Sequence, residues 1–373
     1  MKIKESPEDF IVEEITPEGK TIKVGEKTSW KDGKGDYLIF VLEKKNWNTI
    51  EALKEIAIRA HSSKKRFSFA GTKDRRAITT QRASAWKISK EQLENIKIKD
   101  LEIKPVSYEK NGLHLGDLKG NRFTIRVKEP GEMRNPKSKI PNFFGEQRFG
   151  KKRPVTHLVG KAIVNEQYQR AVETYLWECF PEESEEEKEA RTRLAKEKNF
   201  SEALKYFPRH LKYERTLLGH LSNKPNDYVG ALNALPRKLL LLFVHAYQSH
   251  LFNKILTKRK TIGLEPKEGD ILEDGIPTGP LYGYELELAT GKQGEIEKET
   301  LSQEWLNLSD FKLHGMPSLS SKGLRRKLYF DIKDFKVLEK KPDELTVRFT
   351  LSKGVYATTV LNYLFGSAKA PHT

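Results

Sequence analysis

Cysteine is nearly absent: Cys179 stands alone among 373 residues. No disulfide can form within the chain, and zinc sites built on several thiolates are excluded. The nine histidines are scattered, and His245 and His250 lie five apart rather than at the i, i+4 spacing of a helical zinc pair. No metal site is expected. Long apolar runs are also lacking. The longest, Leu239 to Val244, falls far short of the roughly 20 residues that cross a membrane. The opening Met1-Lys2-Ile3-Lys4-Glu5-Ser6-Pro7 carries charge where a secretory signal needs an apolar stretch. A soluble, cytoplasmic protein with no membrane partner is expected. Common nucleotide and hydrolase signatures fail as well. Gly71-Thr72-Lys73 looks like the end of a phosphate-binding loop, but Arg66 stands where that loop needs glycine. There is no G-x-S-x-G nucleophile turn, and deaminase signatures need cysteines that this chain lacks.

What is present is positive charge. Charged residues make up 32% of the chain and the net charge is +16. That surplus must sit on a surface, where a polyanion is its natural partner because neutralised phosphates release counterions. The alternative is a highly charged surface with no ligand, as in proteins from hot environments. A hydrophobic share of 37% is enough for a sizeable core at this length, which suggests about two to three domains.

The hydrophobic patterning predicts an α+β architecture. Asp9 to Ile15, Asp36 to Glu43, Phe67 to Phe69 and Asn121 to Val127 have strand composition. Thr49 to His61 predicts an amphipathic helix with Ile50, Leu53, Ile56 and Ala57 on one face and Thr49 as its cap. From about residue 155 the character changes. Ala162 to Trp177 is helical in pattern, and Glu182 to Lys198 is densely charged, as a solvated helix face would be. A long helix is predicted from Pro236 to Lys260, its Leu239 to Val244 run apolar all round and so buried. Residues 263–290 are rich in glycine and proline, the composition of loops or a small barrel. Strands return at Lys327 to Asp331 and Thr346 to Leu351, followed by a helix from about Ala357 to Phe365. A mostly helical segment thus interrupts an α+β domain whose last strands come from the C-terminal part.

Four segments could carry chemistry. Asp74 follows a strand and a glycine and is flanked by Lys73, Arg75 and Arg76. Cations around a carboxylate favour its ionised form, which can act as nucleophile or base, and the basic flank would hold a phosphate backbone beside it. The same pattern also describes a turn aspartate in a surface ion-pair network. Asn121 follows Gly120, and Phe123 shares its strand face, so an amide and a ring could meet one base; a turn before a core phenylalanine looks identical. Asn142 to Gly150 interleaves Phe143, Phe144 and Phe149 with Arg148, which suits stacking and phosphate contact or, equally, an anchored structural loop. Lys353 to Thr359 is a strand-to-helix turn that exposes Tyr356, or simply caps a helix.

Taken together and in order, these stretches resemble the tRNA pseudouridine synthase D (TruD) family. The matching segments are Ser6 to Glu14, Phe69 to Gln81, Gly120 to Phe123, Asn142 to Gly150, Ala246 to Asn253, Gly323 to Arg326 and Lys353 to Val360. The resemblance implies a catalytic domain with a mixed, largely antiparallel sheet flanked by helices, formed by residues 1–154 and 316–373. It implies an inserted α/β domain at 155–315. The implied activity is isomerisation of a D-arm uridine of tRNA, uridine-13, to pseudouridine, with no cofactor and no obligate protein partner. Asp74 matches the catalytic aspartate, and Lys4 a lysine placed to pair with it. Phe10, Asn121 and Tyr356 match substrate-contacting positions, the last a phenylalanine in many members. Phe123 matches the ring that stacks on the target base. Lys73, Arg75, Arg76, Arg148 and Arg325 fall in the matching basic stretches and are candidate RNA contacts. Two other readings stay open: a catalytically silent tRNA-binding protein, and a synthase acting on other RNAs.

Overall fold

The computed structural model describes residues 1–26, 30, 33–136, 139–150 and 152–366. Among the described residues the chain forms two compact units, Met1–Ile140 with 330–366, and Pro141–Tyr329. The expected boundaries at 154 and 316 lie inside the second unit, for a structural reason. Asn142 donates to the carbonyl of Lys327 at 2.8 Å, and the Asn253 side chain brackets Phe144 with two 2.9 Å bonds to its backbone. Phe144 also packs edge-on against Phe252 at 5.6 Å. These bonds tie the flanking segments to the long helix Arg237–Ile262.

The first unit is built on an eight-stranded sheet. Its strands are β1 (Phe10–Ile15), β2 (Tyr37–Lys45), β3 (Phe67–Phe69), β4 (Ile78–Trp86), β5 (Leu101–Glu109), β6 (Gly120–Lys128), β7 (Lys333–Lys341) and β8 (Glu344–Ser352). They lie in the order β7-β8-β6-β1-β4-β2-β5, with β3 also paired to β4. Only β1 with β4 is parallel, so the sheet is mixed and largely antiparallel, as expected. The helix Thr49–Arg59 packs Leu53 and Ile56 against Leu38, Phe40 and Leu42. The helix Ala357–Phe365 packs Val360, Leu361 and Leu364 against Phe10, Val12, Phe123 and Phe349. Gly120 sits where an added Cβ would lie 2.1 Å from the Leu351 carbonyl oxygen, so only glycine lets β6 and β8 close beside Asn121.

Two expectations change here. Asn48, not Thr49, caps the first helix, accepting from the amides of Ile50 and Glu51 at 2.8 and 3.4 Å. Thr49 is buried, and Ile50 is exposed. Strands β4 and β7 carry no clean alternation. β4 buries Thr79, Thr80, Gln81 and Ser84 inside the sheet, and β7 is an exposed edge, so neither reads as apolar-polar.

The second unit is helical, with one small antiparallel sheet of Leu272–Glu273, Ile276–Leu281 and Leu324–Lys327. The helix expected over 162–177 is two, Thr156–Val164 and Tyr168–Trp177, separated where Glu166 takes a left-handed φ of 53°. The charged stretch forms the helix Glu185–Glu197, capped by Ser184. It is not only a solvated face: Arg191 is fully buried and bonds Glu183 and Glu214, each at 2.8 Å. Leu242 is exposed, so the apolar run in the long helix is not buried all round. Among the described residues no helix is long and apolar enough to cross a membrane.

In this unit His157 stacks on His250 at 4.7 Å. Its Nδ1 is buried and has no hydrogen-bond partner among the described residues. Burial, with His250 beside it, pushes its pKa down to about 4 from 6.5. Between those values the unfolded chain binds a proton that the folded chain does not, so stability falls as pH drops from 6.5 to about 4, by up to about 3 kcal/mol. Denaturant unfolding at pH 7 and pH 4.5 should show a smaller acid loss in His157→Phe than in the wild type. Equal losses would assign the acid sensitivity to other groups.

Candidate active site

Asp74 lies in the loop between β3 and β4. Because β4 runs parallel to β1, the segments that precede the two strands emerge at the same end of the sheet. The residues before β1 are therefore brought to the Asp74 loop. Lys4 Nζ donates to Asp74 Oδ1 at 2.6 Å. The same ammonium lies 3.9 Å from the centre of the Phe10 ring. The Lys4 side chain is 21% exposed and that of Asp74 43%, so the pair borders solvent. Such a pair adds about 1 kcal/mol or less to stability, and its value is orientation. Lys4 takes a left-handed φ of 59°, a costly conformation for a residue with a Cβ. The segment is held in it from both sides. Lys2 exchanges backbone bonds with Lys128 at 2.8 and 2.9 Å, and the carbonyl of Glu5 accepts from Arg76 at 2.8 Å.

Beneath Asp74 the loop is fixed by buried polar groups. The carbonyl of Gly71 accepts from Gln81 at 3.0 Å. The amide of Lys73 donates to Thr49 Oγ1 at 3.1 Å, and that hydroxyl donates to Gln81 Oε1 at 3.0 Å. Lys73 Nζ reaches Glu14 at 3.1 Å, and Arg82 Nε reaches the other Glu14 oxygen at 3.0 Å. Glu14 is fully buried. The carbonyl of Asp74 itself accepts from the buried Lys44 Nζ at 2.7 Å. Asp74 thus carries a partly exposed, Lys4-paired carboxylate on an immobilised backbone, an arrangement suited to a reacting group.

The structure gathers some expected residues and not others. Lys4, Asp74 and Phe10 meet directly. Phe123 meets Phe10 edge-on at 6.0 Å and stacks on Phe349 at 5.7 Å. It is 5% exposed, so it presents no free ring face. Asn121 sits opposite Glu14 in the sheet register, and its Oδ1 is buried with no hydrogen-bond partner among the described residues. Tyr356 is 66% exposed at the start of the last helix, just past the end of β8 that pairs with Gly120. Two of the RNA-contact candidates are engaged within the protein: Lys73 is buried against Glu14, and Arg325 pairs with Glu297 at 2.6 Å and bonds Thr278. Arg148 bonds Ser249 at 3.0 Å within the second unit, where Asn142 to Gly150 is an anchored loop. Arg75 and Arg76 remain exposed beside Asp74. Among the described residues no group of three His, Cys, Asp or Glu side chains could hold a metal ion.

Sequence reasoning passed over Glu14 and Lys44. A signal was there. Phe10, Val12 and Glu14 share one strand face, as do Leu38, Phe40, Leu42 and Lys44, so each charge ends a buried apolar series.

The chain matches the model of the family described as tRNA pseudouridine synthase D (TruD) over residues 1–275 and 272–364. It is 43% identical to the Methanococcus vannielii "Probable tRNA pseudouridine synthase D", with 98% of this chain and 95% of that protein covered. It is 42% identical to the Methanocaldococcus jannaschii "Probable tRNA pseudouridine synthase D 1", covering 96% and 94%. The crystal structure of the Methanosarcina mazei "Putative tRNA pseudouridine synthase D (TruD)" superposes with a TM-score of 0.80 at 35% identity, covering 98% of this chain and 93% of that one. In this company the chain is a pseudouridine synthase, an isomerase. More narrowly, the chain belongs to the tRNA pseudouridine synthase D (TruD) family.

The buried charges give a stability prediction. Glu14→Ala leaves Lys73 and Arg82 without their counter-charge inside the protein, and should cost about 3–5 kcal/mol. Thermal unfolding reads this directly, and a cost below about 1 kcal/mol, the scale of a surface pair, would show that the triad is dispensable.

Proposed function

We propose that this protein isomerises a D-arm uridine of tRNA, uridine-13, to pseudouridine, and that Asp74 is its catalytic group. The observation that carries the reading is the 2.6 Å Lys4–Asp74 pair on a loop immobilised from below, in a chain of this family. The reaction breaks the bond between ribose C1′ and uracil N1, turns the base and joins C1′ to C5. The proton on C5 is lost and N1 gains one, so no redox partner or cofactor is required. Asp74, oriented by Lys4, acts at the ribose, by attack at C1′ or by taking the C2′ proton. Both routes need an ionised carboxylate in a fixed position.

The target must leave the RNA stack, which costs a few kcal/mol. Tyr356 offers the exposed ring that a flipped base can reach. Stacking on Phe123 requires the Phe10–Phe123–Phe349 cluster to open. The unpartnered Asn121 Oδ1 suits the N3–H of uracil. Arg75 and Arg76 supply phosphate contacts, and the second unit, in the place of the family's insertion, selects the RNA.

Purified protein incubated with unmodified tRNA transcripts, followed by pseudouridine mapping, tests the reading. Product at the D-arm uridine supports it. Product elsewhere moves the substrate, and binding without product selects a silent tRNA-binding protein. Asp74→Asn should lower the rate by at least about 100-fold with the fold intact. Lys4→Met should lower kcat while tRNA affinity holds; a parallel fall in both would make Lys4 a binding residue.

A further inference from the structure

We infer that Lys44 is a positioning residue for Asp74, a second lysine that holds this group from the core side as Lys4 holds it from the solvent side. The inference rests on the reading of Asp74 as the catalytic group. Lys44 Nζ donates to two backbone carbonyls, those of Asp74 and Trp47, each at 2.7 Å. The residue is 1% exposed. Among the described residues no carboxylate lies within ion-pairing distance of it. A buried cation without a counter-ion costs free energy that a methionine of similar length would not.

Its place in the strand sharpens the point. Lys44 continues the series Leu38, Phe40, Leu42, where packing alone calls for an apolar side chain. Its cost shows in its titration as well: burial pushes the ammonium down to about 8, with the Asp74 charge opposing and Lys73 assisting that shift. Trp47 lies just before the helix Thr49–Arg59, whose Thr49 bonds the amide of Lys73. Lys44 therefore ties the start of that helix to the Asp74 carbonyl, one residue along from the Thr49 bond. Those two bonds, on consecutive residues, fix the peptide planes on either side of the Asp74 amide. They thereby fix where the carboxylate points. The Lys44 charge adds a favourable field on the same carboxylate. Lys44 touches neither substrate nor reacting atoms, so it acts only through Asp74.

The test compares wild type, Lys44→Met, Lys4→Met, the double variant and Asp74→Asn in the full-length protein, with tRNA transcript as substrate. Lys44→Met should lower kcat by about 100-fold, the scale of a displacement near 1 Å, and leave KM and tRNA affinity within about two-fold. Because both lysines serve one carboxylate, the double variant should lose less than the product of the two single losses. Wild-type kcat in a folded Lys44→Met overturns the inference, as do a fall confined to KM or full multiplicativity with Lys4→Met. Should Lys44→Met not fold, Lys44→Gln is read the same way, since its amide nitrogen is one atom too short to span both carbonyls. The Asp74→Asn arm separates the two readings. Retained activity there removes Asp74 from the chemistry, whereas an inactive Asp74→Asn beside a fully active Lys44 variant sinks the inference on Lys44 alone.

Discussion

The parallel pairing of β1 with β4 is the constraint on which the site depends. Every other pair in the large sheet is antiparallel, and antiparallel neighbours place the start of one strand against the end of the next. A parallel pair places two starts together. That single choice brings Lys4, upstream of β1, to Asp74, upstream of β4, although 70 positions separate them. The loop before β4 then folds back over the sheet, because β3 pairs with the far end of β4 at Phe69 opposite Ala83. Glu14, Gln81 and Lys44 lie under that loop and hold it.

This arrangement places opposite charges at different depths. The outer pair, Lys4 with Asp74, borders water and needs little desolvation. The inner set is costly: Glu14, Lys73, Arg82 and Lys44 are all withdrawn from solvent. Glu14 answers two cations, and Lys44 donates to two backbone carbonyls. A core built for stability alone would fill these positions with leucine and valine. Charges kept there despite the penalty fix backbone geometry at a place where geometry matters.

Much of this was legible in the residues, unevenly. β1, β2, β6 and β8 announced themselves by composition or alternation, because each has one face on an apolar core. β4 did not, since Thr79, Thr80, Gln81 and Arg82 occupy its interior, serving the loop rather than the core. Asp74 could be suspected from its basic flank, but that flank did not show that Lys73 pairs with Glu14, its neighbour in space and distant in sequence. The partner of Arg325, Glu297, was equally hidden by its distance in sequence. Lys4 was visible only through family resemblance. No local pattern marks a residue whose partner is supplied by strand direction.

The sheet also has a history in time. Its β6–β8 half joins residues near 120–128 to residues near 344–352, across the whole of the second unit. Contacts so far apart in sequence are slow to form, because the intervening chain must close as a loop. The second unit, compact in its own right, shortens that loop once it has folded. During synthesis the Asp74 loop, Lys4 and Lys44 emerge long before β8 does, so Asn121 and Phe123 wait on an unfinished edge. Completion of the large sheet is thus a late event in the folding of each chain.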